Sequence, residues 1–255
     1  MNVKNPFDVS GKTFLVTGAS SGIGRATARV LGELGAKVIL SGRSEPELAT
    51  TLSVMERPSE HIIAKFNLTD TDGIPAWVDG LCKQNATCLD GVVHAAGTLN
   101  RTPLRVLSKA KMDEVMLVNV YAALALLRAV SNKGIMATEG GSIVLLSSTA
   151  ALKGSAGMVA YASSKGALIS MVKSAAVELA PKKIRVNCIA PAYVRTPMWE
   201  QTSAALPDGG AAVIAQQFLG LIDPEEVATA AVYLLSNAAR SITGATLQMD
   251  GGSCC

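Results

Sequence analysis

A tyrosine and a lysine stand four residues apart in the segment Tyr161-Ala-Ser-Ser-Lys165. Four residues make slightly more than one helical turn, so both side chains would emerge on the same face of a helix. A free phenol has a pKa of about 10 and transfers protons poorly at neutral pH. A lysine cation close by favours the phenolate and lowers the pKa of the phenol. The pair therefore indicates an acid–base group, although the same spacing also occurs in ordinary surface contacts.

A glycine-rich turn near the N-terminus gives this pair its context. The apolar run 12–17 is typical of a buried strand and leads directly into Gly18-Ala-Ser-Ser-Gly22-Ile-Gly24. An alanine-rich helical pattern follows from Arg25 to Leu34. The first N–H groups of a helix and its dipole attract anions. The arrangement therefore predicts a nucleotide site, the alternative being a tight connection between strand and helix.

Five motifs along the chain resemble those of the short-chain dehydrogenase/reductase family. They stand in the family's order, and the resemblance covers about residues 8 to 252. The C-terminal segment 242–252 also resembles the family ending, which packs across subunit interfaces and implies a homodimer or homotetramer. The resemblance implies an oxidoreductase that binds a nicotinamide cofactor. The five motifs are Thr17–Gly24, His94–Gly97, Asn119, Ser148 and the pair Tyr161 and Lys165.

Size and composition favour some classes of protein over others. A chain of 255 residues, 49% of them hydrophobic and 4% aromatic, fits a single domain, 1–255, with alanine-rich helices over a buried sheet. A net charge of +3 is too small to indicate a nucleic-acid partner. We expect no membrane span, because no apolar run approaches roughly 18 residues. Five cysteines and two histidines lack metal-ligand spacing, so we expect no metal, reduced thiols and a cytoplasmic location.

Apolar strand-like runs alternate with helical patterns along the chain. This alternation predicts an α/β fold, a Rossmann-like doubly wound parallel sheet of about seven strands with helices on both faces. The poorly patterned stretch 197–223 follows the sixth strand and is predicted to be an apolar substrate lid. The predicted strands are Thr13–Thr17, Lys37–Ser41, Ile62–Asn67, Gly91–Ala95, Ser142–Ser147, Arg185–Ala190 and Thr246–Met249, and the predicted helices include Met112–Ala137, Ala160–Leu179 and Pro224–Leu235.

The family resemblance implies a role for each of four catalytic residues. Tyr161 would exchange a proton with the substrate oxygen, and Ser148 would hydrogen-bond that oxygen. Ser148 stands thirteen residues before Tyr161, close to the family's usual spacing, and Ser147 is the alternative. Lys165 would lower the pKa of Tyr161 and bind the nicotinamide ribose. Asn119 would hold a water that relays protons from Lys165.

The resemblance also implies which residues surround the cofactor. Three positions depart from the family pattern. His94 replaces a common asparagine and is expected to be structural, and Ala192 replaces a glycine. If that position needs a positive φ, alanine costs on the order of 1 kcal/mol. Asn67 stands where the family often has aspartate. The implied cofactor contacts are Gly18, Ser20, Ser21, Gly22, Ile23, Gly24, Asn67, Leu68, Ala95, Ala96, Gly97, Tyr161, Lys165, Pro191, Ala192, Val194 and Thr196.

The end of the second strand indicates which nicotinamide cofactor is used. Proteins that bind NAD usually carry an acidic residue here, whereas an arginine accommodates the 2′-phosphate of NADP. No Asp or Glu lies between Ala36 and Ser44, and Arg43 is available. Ser41 would add a hydrogen bond. We therefore predict NADP, the alternatives being an NAD-preferring relative and an arginine that only faces solvent.

The expected reaction interconverts a carbonyl and a secondary alcohol by hydride transfer. The apolar lid suggests a small-molecule substrate with some apolar character, the alternative being a lid that packs on itself. A 3-oxoacyl thioester is one candidate. A non-redox enzyme of the same fold often loses part of the serine, tyrosine and lysine set, which is complete here. A catalytically silent NADP-binding protein would show substitutions at Tyr161 or Lys165, and neither is substituted.

Overall fold

The computed structural model describes residues 5–206 and 208–255. In these ranges, one seven-stranded sheet has the strand order β3-β2-β1-β4-β5-β6-β7, and every neighbouring pair of strands is parallel. The sheet confirms the predicted Rossmann-like α/β class. The strands are β1 Thr13–Thr17, β2 Lys37–Gly42, β3 Ile62–Lys65, β4 Gly91–His94, β5 Gly141–Leu146, β6 Ile184–Pro191 and β7 Thr246–Met249.

Helices cover both faces of this sheet. One buried cluster packs β1, β4 and β5 against α3, α5 and α6, and a second packs the opposite face against α1, α2 and α9. All five residues of β1 are buried, which fits the continuous apolar run of a central parallel strand. The α-helices of the described ranges are α1 Gly22–Glu33, α2 Glu45–Ser53, α3 Ile74–Gln84, α4 Lys109–Met116, α5 Ala122–Ser131, α6 Val159–Leu179, α7 Pro197–Ala204, α8 Ala211–Ile214 and α9 Pro224–Leu235.

The strand order reverses between β1 and β4, which places a crevice at their carboxyl ends. In the parallel register, Thr17 at the end of β1 is paired with His94 at the end of β4. The connections from β1 and from β4 therefore leave the sheet in opposite directions. Open sheets of this kind bind their ligands in that crevice. The predicted motifs follow these two strands and β2, β3, β5 and β6, so the fold collects them along one edge.

The helix predicted at Met112–Ala137 differs from the structure at both ends and in the middle. It begins earlier, because the Ser108 side chain accepts a hydrogen bond from the N–H of Lys111 and caps α4. A π-helical turn, Leu117–Tyr121, separates α4 from α5. The helix ends at Ser131, because residues 135–137 run beside Leu89 with backbone hydrogen bonds of 2.8 and 2.9 Å. Backbone pairing with Leu89, just before β4, thus takes the place of the last helical turns that the sequence predicted.

The stretch 197–223, predicted as an unpatterned lid, contains two helices. Thr196 caps α7 by accepting a hydrogen bond from the N–H of Trp199, and Pro197 occupies the first helical position. Proline is well tolerated there because its missing N–H would have no helical partner. The short helix α8 follows Gly210, whose φ is +87°. Its role as a lid stays a prediction.

One helical stretch, Lys109–Ser131, is long and apolar enough to cross a membrane by length and composition alone. Its mean hydropathy is 1.5 over the most apolar 18 residues, so the expectation that no segment reaches this limit was wrong. Within the fold, 56% of those residues are buried, as in the core helix of a globular domain. Packing against α3 and α6 accounts for this apolar character.

Candidate active site

The glycine-rich turn between β1 and α1 presents a helix N-terminus to the crevice. Ser21 is the N-cap residue, with extended backbone (φ −161°), and its side chain makes no capping hydrogen bond. The carbonyls of the turn are engaged elsewhere: the Thr51 hydroxyl donates to the Ala19 carbonyl at 2.9 Å, and the Arg25 guanidinium donates to the Ser20 carbonyl. The N–H groups of the first helical turn have no partners within the helix. The turn therefore offers donors to an anion and keeps its carbonyls away from it.

Glycines are required in this turn by close backbone approach. Gly18 has a φ of +70°, and a Cβ there would lie 2.7 Å from the Ala96 nitrogen. A Cβ on Gly24 would lie 2.1 Å from the Gly18 carbonyl oxygen. Gly22 has a φ of +51°, and its Cβ would lie 3.1 Å from Cγ2 of Thr196 across the crevice. The glycines therefore make a cradle that side chains would fill.

A cavity of about 410 Å³ lies against this cradle. It runs from Arg43 at the end of β2 to Thr196 ahead of α7. Most of the predicted cofactor contacts line it together. These are Gly18, Ser20, Ser21, Gly22, Ile23, Gly24, Arg43, Asn67, Leu68, Ala95, Ala96, Gly97 and Thr196.

Two residues at the end of β2 differ in their access to this cavity. Ser41 is fully buried, lies outside the lining, and its hydroxyl has no hydrogen-bond partner among the described residues. The contact of Ser41 with the cofactor therefore stays a prediction. Arg43 is exposed, lines the cavity, and forms no side-chain hydrogen bond or salt bridge within the described ranges. Its guanidinium is free to meet a phosphate.

Nine residues of this lining were not among the predicted cofactor contacts. Eight of them stand within two residues of a predicted cofactor contact or of Asn119, so a wider reading of each motif would have included them. Glu114, on α4, has no such neighbour and carries no signal in the sequence. The nine are Gly42, Phe66, Thr69, Thr98, Glu114, Leu117, Val118, Pro197 and Met198.

A second cavity, of about 390 Å³, is lined by three of the four predicted catalytic residues, and Asn119 lies outside its lining. Ser148, Tyr161 and Lys165 line it, together with three other predicted contacts, Pro191, Ala192 and Val194. The two cavities share five lining residues, so they are parts of one cleft. The shared residues are Ile23, Ala95, Gly97, Thr196 and Met198.

Tyr161 and Lys165 lie near the start of α6 and are buried, with exposed fractions of 8% and 5%. The Lys165 ammonium is 5.7 Å from the centre of the Tyr161 ring and donates a hydrogen bond of 2.7 Å to the Leu146 carbonyl. Burial raises the pKa of Tyr161 to about 12, and the Ser148 hydroxyl acts in the opposite direction. Burial lowers the pKa of Lys165 to about 8.

The expected lowering of the Tyr161 pKa by Lys165 is therefore not what the structure shows. Removing the phenol from water disfavours the phenolate, and this is the largest influence on the pKa of Tyr161. The Lys165 ammonium donates its hydrogen bond to the backbone carbonyl of Leu146. At neutral pH, Tyr161 keeps its proton. It is then ready to donate that proton to an acceptor in the cavity.

Ser147 and Ser148 have different hydrogen-bond partners. The Ser147 hydroxyl is buried and donates to the backbone carbonyl of Lys165 at 2.7 Å. The Ser148 hydroxyl is partly exposed and accepts from the N–H of Ala150 at 3.2 Å. The Ser147 hydroxyl already donates its proton to a carbonyl of α6. The Ser148 hydroxyl is therefore the one that can still donate into the cavity.

Asn119 lies in the π-helical turn and is fully buried. Its side-chain carbonyl accepts from the Thr98 N–H at 2.8 Å, and its amide donates to the Thr98 carbonyl at 3.0 Å and to the Ser164 hydroxyl at 2.9 Å. The side chain thus ties the segment after β4 to the helix that carries Tyr161 and Lys165. Its part in a water relay stays a prediction.

His94 lies at the bottom of the crevice, where its Nδ1 is 2.9 Å from the Thr17 hydroxyl. The ring is buried, and Nε2 meets no partner that satisfies hydrogen-bond geometry among the described residues. Burial lowers the pKa of His94 to about 3, and the positive charge of Lys165 adds to this effect. The ring is therefore neutral at physiological pH, as a structural residue requires.

This burial predicts an acid-sensitive fold. Between pH 6.5 and 3 the folded state keeps His94 neutral while the unfolded chain binds a proton, so stability is lost as the pH falls through this window. The loss attributable to His94 is on the order of 5 kcal/mol at its limit. Urea unfolding at a series of pH values measures it. His94→Asn should lack this part of the slope, and equal slopes for the two proteins would contradict the assignment.

Ala192 is accommodated without backbone strain. The described non-glycine residues with positive φ are Arg57, Ala86 and Lys183. Ala192 is not among them, and its N–H donates to the Met249 carbonyl at 2.8 Å. The anticipated cost of alanine at this position is therefore absent.

Other reactive side chains in the described ranges form no further centre. No group of three or more His, Cys, Asp or Glu side chains there could hold a metal ion. All five cysteines are free thiols. Burial raises the pKa of Cys82 and of Cys188 to about 11, which makes both thiols unreactive.

Comparisons with known proteins agree with this geometry. Residues 18–253 match the family model described as Enoyl-(Acyl carrier protein) reductase. The chain is 34% identical over 246 residues to the 3-oxoacyl-[acyl-carrier-protein] reductase FabG of Rickettsia prowazekii, which covers 96% of this chain and 98% of the relative.

Solved structures with the same fold include two dehydrogenases. A protein from Sinorhizobium meliloti 1021, assigned as a short-chain alcohol dehydrogenase, superposes with a TM-score of 0.90 at 31% identity over 98% of both chains. A protein from Beutenbergia cavernae, assigned as an NAD(P)-dependent gluconate 5-dehydrogenase and holding NADP at low occupancy, has a TM-score of 0.89 at 31% identity over 98% and 99% of the two chains.

The crevice, the glycine cradle and these likenesses define a dinucleotide-dependent oxidoreductase. The chain belongs to the short-chain dehydrogenase/reductase family. This family uses NAD(P), and the cradle that a Cβ at Gly18 or Gly24 would fill fits such a dinucleotide.

Proposed function

We propose that the protein is an NADPH-dependent carbonyl reductase. The observation that carries this proposal is the position of Tyr161, Ser148 and Lys165 in a cavity that opens into the glycine-lined one. A dinucleotide against Gly18–Gly24 and a carbonyl compound beside Tyr161 would then occupy adjoining parts of one cleft. The same set would run the reaction backwards with an alcohol.

The chain's own residues have separate tasks in this proposal. Tyr161 donates its phenolic proton to the carbonyl oxygen. Ser148 hydrogen-bonds the same oxygen, a contact typically worth about 3–4 kcal/mol in a transition state. Lys165 supplies positive charge behind the phenol, and Asn119 holds the segment after β4 against α6. A bound nicotinamide supplies the hydride.

The proton held on Tyr161 favours reduction as the direction at neutral pH. With its pKa near 12, the phenol is an acid at pH 7 and must lose a proton before it can act as a base. Oxidation would therefore gain from alkaline conditions more than reduction would. The pKa of Lys165, about 8, lets this group release protons in the range where such oxidation begins.

NADP preference rests on Arg43. Its guanidinium lines the cradle cavity and has no partner among the described residues. No acidic residue stands between Ala36 and Ser44 to repel a 2′-phosphate or to bind a ribose hydroxyl. The structural relative that holds NADP supports the same choice.

The relatives suggest two groups of substrate. The oxoacyl reductase relative points to thioesters, and the gluconate dehydrogenase relative points to small oxo acids. An apolar wall that includes Trp199 and Val213 favours a substrate with some apolar character. A homodimer or homotetramer and a cytoplasmic location with reduced thiols belong to the same proposal.

Titration of the protein with NADPH and with NADH, followed by nicotinamide fluorescence, tests the cofactor first. We expect NADPH to bind at least tenfold more tightly than NADH, and Arg43→Asp to raise the NADPH Kd at least tenfold, because a charge-assisted contact of about 1.5–3 kcal/mol is replaced by repulsion. A panel of acetoacetyl-CoA, 5-ketogluconate and cyclohexanone then tests carbonyl reduction.

A matched variant separates the local effect of Arg43 from net charge. Arg240→Asp changes the charge equally at an exposed position outside both cavities. It should leave the NADPH Kd unchanged within about twofold. Equal binding of the two nucleotides by the unaltered protein, or equal losses in both variants, would remove Arg43 from its role.

A further inference from the structure

The mouth of the second cavity carries positive charge without a matching carboxylate. Its charged lining residues are the buried Lys165 and the exposed Arg101 and Lys153. No aspartate or glutamate belongs to the described lining. Within residues 5–206 and 208–255, neither Arg101 nor Lys153 forms a salt bridge. Two cations thus face the entrance without acidic partners.

Lys153 is held in place by two neutral acceptors from other parts of the chain. Its Nζ donates to Oε1 of Gln216 at 2.9 Å and to the carbonyl of Ser253 at 3.0 Å. Gln216 and Ser253 also line the cavity. An ammonium group has three donors, so one remains for a ligand. The charge is positioned by its neighbours but not neutralised by them.

Arg101 lies against the same loop from the other side. A Cβ on Gly157 would be 3.2 Å from Cγ and 3.8 Å from Nε of Arg101, and the Thr102 N–H donates to the Gly157 carbonyl at 2.9 Å. The guanidinium makes no hydrogen bond with a described residue. Burial raises the pKa of the Tyr193 phenol, and the positive charge of Arg101 acts against that rise, which puts the guanidinium near the cavity wall. Its planar fork suits carboxylate and phosphate oxygens.

The wall that Arg101 and Lys153 share with Tyr161 is largely apolar. The rings of Tyr193 and Trp199 pack with centroids 4.9 Å apart, and Met158 and Val213 also contribute. A ligand that reaches from Tyr161 to the two cations therefore also lies against apolar side chains.

We propose that the substrate carries an anionic group, a carboxylate or a phosphate, beyond an apolar segment from its carbonyl, and that Arg101 and Lys153 bind this anion. The inference rests on carbonyl reduction at Tyr161. Unpaired cations at a partly desolvated entrance attract anions and disfavour cations, so they select substrates by charge. They contact the substrate away from the reacting atoms and determine specificity.

Pairs of ketones that differ only in charge test this proposal. The first set is 4-oxopentanoate, 5-oxohexanoate and 7-oxooctanoate, each beside its methyl ester. The second pair is acetoacetyl-4′-phosphopantetheine beside the uncharged acetoacetyl-pantetheine. We expect kcat/KM with NADPH to be at least tenfold higher for the charged member of one set, and this ratio to shrink in high salt. A preference among the oxo acids would identify a carboxylate as the bound anion, and a preference in the thioester pair would identify a phosphate.

Two variants assign the preference to residues. Lys153→Met and Arg101→Met should each lower the charged-to-neutral ratio of kcat/KM at least fivefold, and the double variant should bring it close to one. Lys133→Met, an equal change in the exposed loop before β5, should leave the ratio unaltered. Lys153 links its loop to Gln216 and Ser253, so its variant also removes two hydrogen bonds. The Arg101 side chain makes no such bond among the described residues, so Arg101→Met tests charge recognition alone.

Binding gives a second readout that does not need turnover. Trp199 lines the cavity, so its fluorescence follows the oxo acids and esters directly. Tighter binding of the acids, lost in Arg101→Met, would support the anion site even if no ketone were reduced, in which case only the proposed reaction would fail. Reduction of esters and acids at equal rates, or variants that lower both alike, would overturn the anion site and leave the reductase assignment standing.

Discussion

Replacing Tyr161 by phenylalanine is expected to lower kcat for ketone reduction about a thousandfold. Proton transfer by a positioned side chain typically contributes 10²- to 10⁴-fold, roughly, and the buried phenol is the group that holds a proton beside Ser148 at neutral pH. The phenylalanine ring occupies the same space as the tyrosine ring at position 161 of α6. We therefore expect the NADPH Kd to change by less than about threefold. Steady-state kinetics and nicotinamide fluorescence measure the two quantities.

A tyrosine elsewhere in the fold provides the matched control. Tyr233 on α9 packs near Phe7, with ring centroids 6.2 Å apart, and lies outside both cavities. Tyr233→Phe removes the same hydroxyl and should keep kcat within about twofold. If Tyr161→Phe retained most of its turnover, the proton would come from another group and the proposed chemistry would be wrong.

Gly18→Ala is expected to damage both stability and cofactor binding. Alanine at φ +70° costs about 1–2 kcal/mol, and its Cβ would lie 2.7 and 2.8 Å from backbone atoms of Ala96, which cannot turn aside as a side chain can. We expect the free energy of unfolding to fall by at least about 2 kcal/mol and the NADPH Kd to rise more than tenfold. Urea unfolding and the fluorescence titration give both values.

The same substitution in a helix should have the opposite sign. Gly80 lies in α3, and a Cβ there would meet nothing within 4 Å. Gly80→Ala should therefore stabilise the protein by roughly 0.5–1 kcal/mol and leave NADPH binding alone. If Gly18→Ala behaved like Gly80→Ala, the turn would be more tolerant than its close contacts indicate, and the cradle would lose its main support.

The sheet could be predicted closely because its central strands are short apolar runs buried on both faces. β1 and β7 have the predicted boundaries, and the others differ by one or two residues. Long-range contacts explain the larger errors. The predicted end of the helix at Ala137 ignored the pairing of residues 135–137 with Leu89, which no local pattern reveals.

The cavity lining was predictable where backbone position decides it. Glycines and strand-end residues fall at the carboxyl edge once the strand order is known, which explains why Gly18, residues 20–24 and Ala95–Gly97 line one cavity. Side-chain direction and burial were not predictable. The Ser41 side chain is fully buried, and burial raises the pKa of Tyr161, and neither follows from spacing.

The choice between Ser147 and Ser148 shows how much one hydrogen bond can add. Both residues follow β5 and both line the second cavity, so position along the chain separates them only by family spacing. The bond from the Ser147 hydroxyl to the Lys165 carbonyl supplies a physical reason, because that donor is already used. A reader of the sequence could not see this contact, since it joins residues 18 positions apart.

The π-helical turn at Leu117–Tyr121 rotates the side chains that follow it about the axis of the long helix. A π-turn holds one residue more than an α-helical turn, and each residue advances the helix by about 100°. The side chains of α5 are therefore rotated relative to an unbroken continuation of α4, so the apolar face of α5 meets the sheet while Asn119 meets Thr98. Aligning this helix with a relative that lacks the extra residue requires a one-residue gap within 117–121, and an ungapped alignment would place another residue opposite Asn119.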